Sequence, residues 1–179
     1  RYQQILAEPT SRKLALLVGI NQYRQAPLNG CVTDVALQQE LLIHRFGFRP
    51  QDILTLTDQQ ATREAIETAF FSHLVQQAQP GTVVVFHFSG YGDIVSNAAN
   101  NLQPSLVPID DLVSEGEIPG VNDILETTLH RLARSLPTDR VAMVLDTSYT
   151  YPGKPLLGNL RVRARPLLTA TQVREAEQP

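Results

Sequence analysis

Three hydrophobic runs in this chain end in clusters of polar residues. Asn21-Gln22-Tyr23 follows LALLVGI, Ser89-Gly90-Tyr91-Gly92 follows TVVVFHF, and Asp146-Thr147-Ser148-Tyr149 follows RVAMVL. If the runs are parallel strands of one sheet, their ends converge on a single crevice, the place where open α/β sheets bind ligands. Ser148 is a candidate hydroxyl nucleophile, and it follows Tyr91 by 57 residues (148 − 91). A serine hydroxyl needs a base, and a phenol with a pKa of about 10 is a poor one at neutral pH. By strand alternation His87 shares the face of Tyr91. Four residues at about 3.3 Å each nevertheless put it roughly 13 Å away, beyond hydrogen-bond reach. General-base assistance is commonly worth about 10²–10⁴ in rate, so these residue types alone make a weak catalyst.

The elements that must position these groups can be read from the pattern. Residues 82 to 88 form an uninterrupted β-branched and aromatic run, suited to a central strand buried on both faces. The two glycines around Tyr91 end that strand in a tight loop displaying one side chain. Leu14 to Ile20 is a second buried strand, and Asn21 to Gly30 is a loop of turn formers. A helix is expected from Cys31 to Phe46, with Val35, Leu41 and Leu42 inward and Gly47 as its stop. Ile53 to Thr57 is a short strand. Thr62 caps a helix to about Ala78, with Ala65, Ile66, Ala69, Phe70 and Leu74 at helical spacing. Residues 92 to 122 read as a long loop in which only Ser105 to Ile109 suits a strand, and a loop of that length is usually functional or mobile. Asp123 and Glu126 are spaced as a capping pair for a helix to Ser135, and Arg140 to Leu145 is the fourth main strand. The order β-α-β-α-β-loop-α-β implies an α/β fold, a mostly parallel open sheet with helices on both faces.

At 179 residues with 42% hydrophobic and 18% charged content, the chain is one globular domain able to bury a core. A net charge of −3 gives no reason to expect nucleic acid or an anionic membrane as partner. The single cysteine, Cys31, excludes an internal disulfide. No apolar run reaches the ~18 residues of a membrane span. The expectation is a soluble protein of unknown compartment, cytoplasmic or exported if a signal peptide precedes Arg1. There is no G-x-x-x-x-G-K-[ST] for a nucleotide. Taken singly, Cys31 reads as a small buried hydrophobe, and Asp34 as a first-turn carboxylate complementing a helix dipole. His44, His73 and His130 fall in the expected helices without ligand spacing.

LALLVGINQY, LNGCVTDV, FHFSGYG and VLDTSYT together resemble the blocks of the caspase-like cysteine peptidases (peptidase C14), in particular the metacaspase and bacterial orthocaspase branch. The resemblance runs from about Leu14 to Tyr151, and the spacing of Tyr91 and Ser148 fits the histidine found about 50 residues before the caspase cysteine. In that family the third block reads S-G-H-G and the fourth D-x-C. Tyr91 and Ser148 stand here at the positions of the catalytic histidine and cysteine. The resemblance also implies a substrate-binding pocket for a basic side chain, lined by Cys31, Asp34, Ser89 and Asp146. All four match the family blocks, and two carboxylates suit a guanidinium. The implied function is a caspase-fold pseudopeptidase that binds basic peptide or protein segments. Two alternatives stay open: a residual Arg/Lys-directed endopeptidase using Ser148, and a non-catalytic interaction platform. No cofactor is expected, though Asp110-Asp111 resembles the region where some metacaspases hold calcium. The expected domain layout is a lead-in over 1–13, a large-subunit domain over 14–151 and a tail over 152–179. Caspase-like domains continue into a small-subunit region, for which the 28 residues after Tyr151 (179 − 151) are too few. That region is expected as a partner, pairing at an open sheet edge.

Overall fold

The computed structural model describes residues 11–24, 26–96, 102–111, 122–149 and 163–165. Most of the expected lead-in and tail lie outside these residues. The main sheet consists of β1 (Lys13–Gly19), β2 (Ile53–Thr57), β3 (Val83–Ser89) and β7 (Val141–Asp146), in the order β2-β1-β3-β7. All three pairings are parallel. Consecutive parallel strands require crossovers, and the helices that make them cover both faces.

On one face lies α1 (Cys31–Phe46), whose Val35 and Leu42 pack with Ala15, Leu17, Val83 and Val85. Gly47 ends it in the left-handed region at φ 67°, where glycine carries no Cβ penalty. Leu41 departs from the expected inward face. It is 45% exposed, and Ile43 contributes to the cluster instead. On the other face, α2 (Arg63–Ala69) starts at Thr62, whose hydroxyl accepts the Ala65 N–H. It continues as a π-helical stretch, Phe70–Val75, and buries Ile66, Phe70 and Leu74 against Leu16, Phe86 and Phe88. Full burial of each such side chain is worth about 1.5–3 kcal/mol. Lys13 belongs to β1 rather than to the lead-in: it is 7% exposed and donates from Nζ to the Phe46 carbonyl.

The stretch expected as a long loop holds two strands of a second, three-stranded antiparallel sheet. It comprises β4 (Gly92–Ser96), β5 (Leu102–Leu106) and β6 (Ile124–Leu125), in the order β4-β5-β6. The expected strand at Ser105 to Ile109 is displaced towards the N-terminus. Pro104 sits opposite Ile94, and Leu102 is 70% exposed, so β5 lacks the apolar alternation that marks a strand. The last helix, α3 (Glu126–Arg134), follows directly, with Leu125 as its N-cap and no side-chain cap. Asp123 therefore does not cap α3. No helix among the described residues is long and apolar enough to cross a membrane.

Candidate functional site

Strand register brings the three polar strand ends together. Gly19 pairs with Ser89, and Ser89 pairs with Asp146, so β1, β3 and β7 end at one level. The chain crosses closely there. A Cβ on Gly19 would lie 2.6 Å from both the Cys31 carbonyl oxygen and Val35 Cγ2, so glycine lets the start of α1 press on the end of β1. Asn21 Oδ1 accepts the Cys31 N–H at 2.9 Å, tying the loop to the first helical residue.

Asp34, Ser89 and Asp146 converge on a single side chain, that of Arg163, with Cys31 beside Ser89. Its Nη2 donates to Asp34 Oδ2 at 2.5 Å, and its Nη1 contacts Ser89 Oγ at 2.5 Å and the Asp146 carboxylate. Ser89 Oγ in turn donates to Asp34 Oδ2 at 2.9 Å. Arg163 keeps 19% of its side chain exposed. Burial disfavours its charge, but Asp34, with support from Asp146, holds its pKa above the ordinary value. Cys31 is fully buried at the start of α1, and burial pushes its thiol up. The sequence singled out these four residues but not Arg163, their partner.

The carbonyl oxygen of Arg163 receives three donors: Gly92 N–H at 2.9 Å, Ser148 N–H at 3.1 Å and the Thr147 hydroxyl at 3.3 Å. Arg165 N–H returns to the Gly92 carbonyl at 2.8 Å, closing a parallel bridge between Gly92 and Ala164. A Cβ on Gly92 would lie 2.6 Å from Thr147 Oγ1 and 2.7 Å from the Ser148 carbonyl oxygen. Two backbone N–H groups converging on one carbonyl form the kind of cradle that stabilises developing negative charge on oxygen.

Tyr91 faces elsewhere. It is 6% exposed, and its hydroxyl donates to the Ala26 carbonyl at 2.9 Å. Its ring packs on Tyr23 with centroids 4.7 Å apart, and the Tyr23 hydroxyl accepts the Tyr91 N–H and donates to the Val107 carbonyl. His87 does not share this face. Val84, Phe86, Phe88 and Tyr91 lie in one cluster, whereas Val83 and Val85, in phase with His87, lie in the cluster under α1. Alternation stops at Ser89, where β3 ends, so counting on to residue 91 assigns the wrong side. His87 is 4% exposed, and both ring nitrogens lack a hydrogen-bond partner among the described residues. Burial lowers its pKa.

A second arginine was equally invisible in the sequence. Arg165 Nε lies 3.1 Å from Asp93 Oδ2, and its Nη2 lies 2.7 Å from Asp111 Oδ2 and 2.5 Å from Asp123 Oδ1. Asp110 and Asp111 serve separate partners, since Asp110 Oδ1 accepts the Arg63 N–H while Asp111 faces Arg165. Among the described residues no group of three or more His, Cys, Asp or Glu is arranged to hold a metal ion.

A parallel four-stranded sheet with helices on both faces, and polar groups gathered at its carboxyl edge, defines an α/β domain of the caspase-like class. The pattern of the metacaspase peptidase C14 domain matches residues 13–153, and the chain belongs to that family. It is 32% identical over 162 residues to Metacaspase-1 of Yarrowia lipolytica, covering 83% of this chain and 35% of that protein. It is 30% identical over 161 residues to Metacaspase-1 of Schizosaccharomyces pombe, covering 82% of this chain and 38% of the relative. The chain thus spans well under half the length of these curated relatives. A crystal structure of a Geobacter sulfurreducens protein shares the fold, with a TM-score of 0.66 at 20% identity, over 92% of this chain and 61% of the other.

Proposed function

We propose that this domain is a metacaspase-family pseudopeptidase, a module that binds arginine-containing peptide segments without cutting them. The observation that carries the reading is the pairing of Arg163 with Asp34, Ser89 and Asp146, beside a Tyr91 whose hydroxyl is committed to Ala26. A phenol whose proton is committed to a carbonyl is a poor base for the proton of a nucleophile. The pocket holds a guanidinium, while the position that supplies the family's base holds a structural tyrosine.

The resident segment competes with any external ligand. A tethered competitor acts at an effective concentration of about millimolar, so free peptides bind the unaltered chain weakly. Calorimetry on Arg163→Gln tests the reading: an arginine-containing peptide binds this variant without turnover, and adding Asp34→Ala lowers affinity about tenfold or more. Equal affinity with and without Asp34 would leave only an interaction platform with a vestigial pocket.

One observation favours a second reading, a residual hydrolase using Ser148. The Arg163 carbonyl sits on the Ser148 and Gly92 N–H groups, as a scissile carbonyl would. Intact-mass analysis after long incubation separates the two, because cleavage between Arg163 and Ala164 would support the hydrolase.

A further inference from the structure

We propose that Asp93, Asp111 and Asp123 form a second guanidinium subsite, so that the cleft recognises arginine–small residue–arginine segments rather than isolated basic residues. The inference rests on the arginine-binding reading above and extends it to the residue two positions downstream.

The three carboxylates are built alike. Each commits one oxygen to the scaffold and presents the other to Arg165. Asp93 Oδ1 accepts the Ile94 N–H at 2.7 Å, Asp111 Oδ1 accepts the Asn122 N–H at 3.2 Å, and Asp123 Oδ2 accepts the Ser105 hydroxyl at 2.6 Å. The free oxygens meet Nε and Nη2 of one guanidinium. Side chains tethered this way lose little freedom on binding, which is how preorganisation raises affinity. Two of them, Asp111 and Asp123, are 2% and 0% exposed with Arg165 in place, so the docked guanidinium neutralises them out of water. Arg165 is itself only 10% exposed, and its Nη1 is buried without a partner among the described residues. The contacts use one edge of a planar guanidinium, a shape that a lysine ammonium does not reproduce.

The spacing is set by the backbone. Gly92 bridges Ala164 through both its N–H and its carbonyl, which holds residues 163 and 165 on either side of a fixed point. In extended chain these residues lie about 6.5–7 Å apart. Ala164 is 1% exposed, so the intervening position accepts a small residue. Recognition therefore demands two arginines in register with one small side chain between them. The resident example is Arg163-Ala164-Arg165.

The test uses the full chain carrying Arg163→Gln and Arg165→Gln, titrated with dye-labelled peptides followed by fluorescence anisotropy. A peptide containing Arg-Ala-Arg binds at least about tenfold more tightly than Arg-Ala-Gln, since charged hydrogen bonds of this kind are worth that much or more. It also binds more tightly than Arg-Leu-Arg. Equal affinity for Arg-Ala-Arg and Arg-Ala-Gln overturns the second subsite and leaves the arginine pocket standing. If circular dichroism shows a folded variant that binds none of the peptides, the arginine pocket falls and the second subsite with it. Should the double substitution unfold the chain, Asp93→Asn in the otherwise unaltered protein carries the test, because Asp93 is partly exposed at 22%. Trypsin then cuts after Arg163 several-fold faster than in the unaltered chain, as the downstream anchor is weakened. An unchanged rate overturns the proposal.

Discussion

Arg163 and Asp34 stand 129 positions apart in the chain, yet Nη2 of one lies 2.5 Å from Oδ2 of the other. The contact links the first turn of α1 to a segment that follows the last strand of the sheet. It sets Arg163 so that its side chain reaches the ends of β3 and β7 while its carbonyl meets the loops that follow them. One residue is therefore held at both ends of its backbone-to-guanidinium span. Several consequences of that arrangement can be measured.

On the pseudopeptidase reading proposed above, replacing Tyr91 and Ser148 by the histidine and cysteine of the family pattern should turn the resident segment into a substrate. With Tyr91→His and Ser148→Cys together, we expect cleavage between Arg163 and Ala164, seen as two fragments by intact mass. Either substitution alone should leave the chain whole, because nucleophile and base act as a unit and their effects are far from additive. A folded double variant that stays intact while still binding arginine peptides would show that more than the dyad has been lost.

Tyr23→Phe removes one hydroxyl with two partners. The Tyr91 N–H and the Val107 carbonyl would both be left in a buried setting, since Tyr23 and Tyr91 are 9% and 6% exposed. Each orphaned buried group costs about 1–3 kcal/mol. Urea unfolding should therefore show a loss of about 2 kcal/mol or more, and a midpoint unchanged from that of the unaltered chain would contradict the network.

Asp123 should cost the chain stability as pH rises towards about 6. Burial raises the Asp123 carboxyl to about 6; Arg165 and the Ser105 hydroxyl pull it down, while Asp111 and Asp93 push it up. Asp93 is raised in the same sense, also by burial. A carboxyl whose folded-state pKa lies above its unfolded value binds more protons in the folded state. Its contribution is therefore full below the unfolded pKa of about 3.9 and is lost as pH rises through about 6. Urea unfolding should show a smaller loss of stability between about pH 4 and about pH 7 in Asp123→Asn than in the unaltered chain. Equal losses in both would remove Asp123 from the linkage.

How much of this was legible in the chain depends on the range of the interaction. Strand runs such as Val83–Ser89 and the Cys31–Phe46 helix follow from side-chain periodicity and local stops, and these appear in the structure where the pattern puts them. Ser89 and Asp146 were recognisable as strand-end residues, and Cys31 and Asp34 through the family blocks, because each sits beside a local signal. The second sheet was not legible, since β5 carries Pro104 and an exposed Leu102 and owes its place to pairing with β4 and β6. His87 was misassigned because alternation holds only inside a strand, and β3 ends two residues before Tyr91. Asp123 was read as a helix cap because its spacing to Glu126 permits one, whereas a buried carboxylate is claimed by the nearest cation, here Arg165. The amino-acid sequence thus determined the strands, the helices and the polar strand ends. Only the tertiary structure decided what fills the crevice. Arg163 and Arg165 carry no local pattern, and their partners are charges brought close by folding.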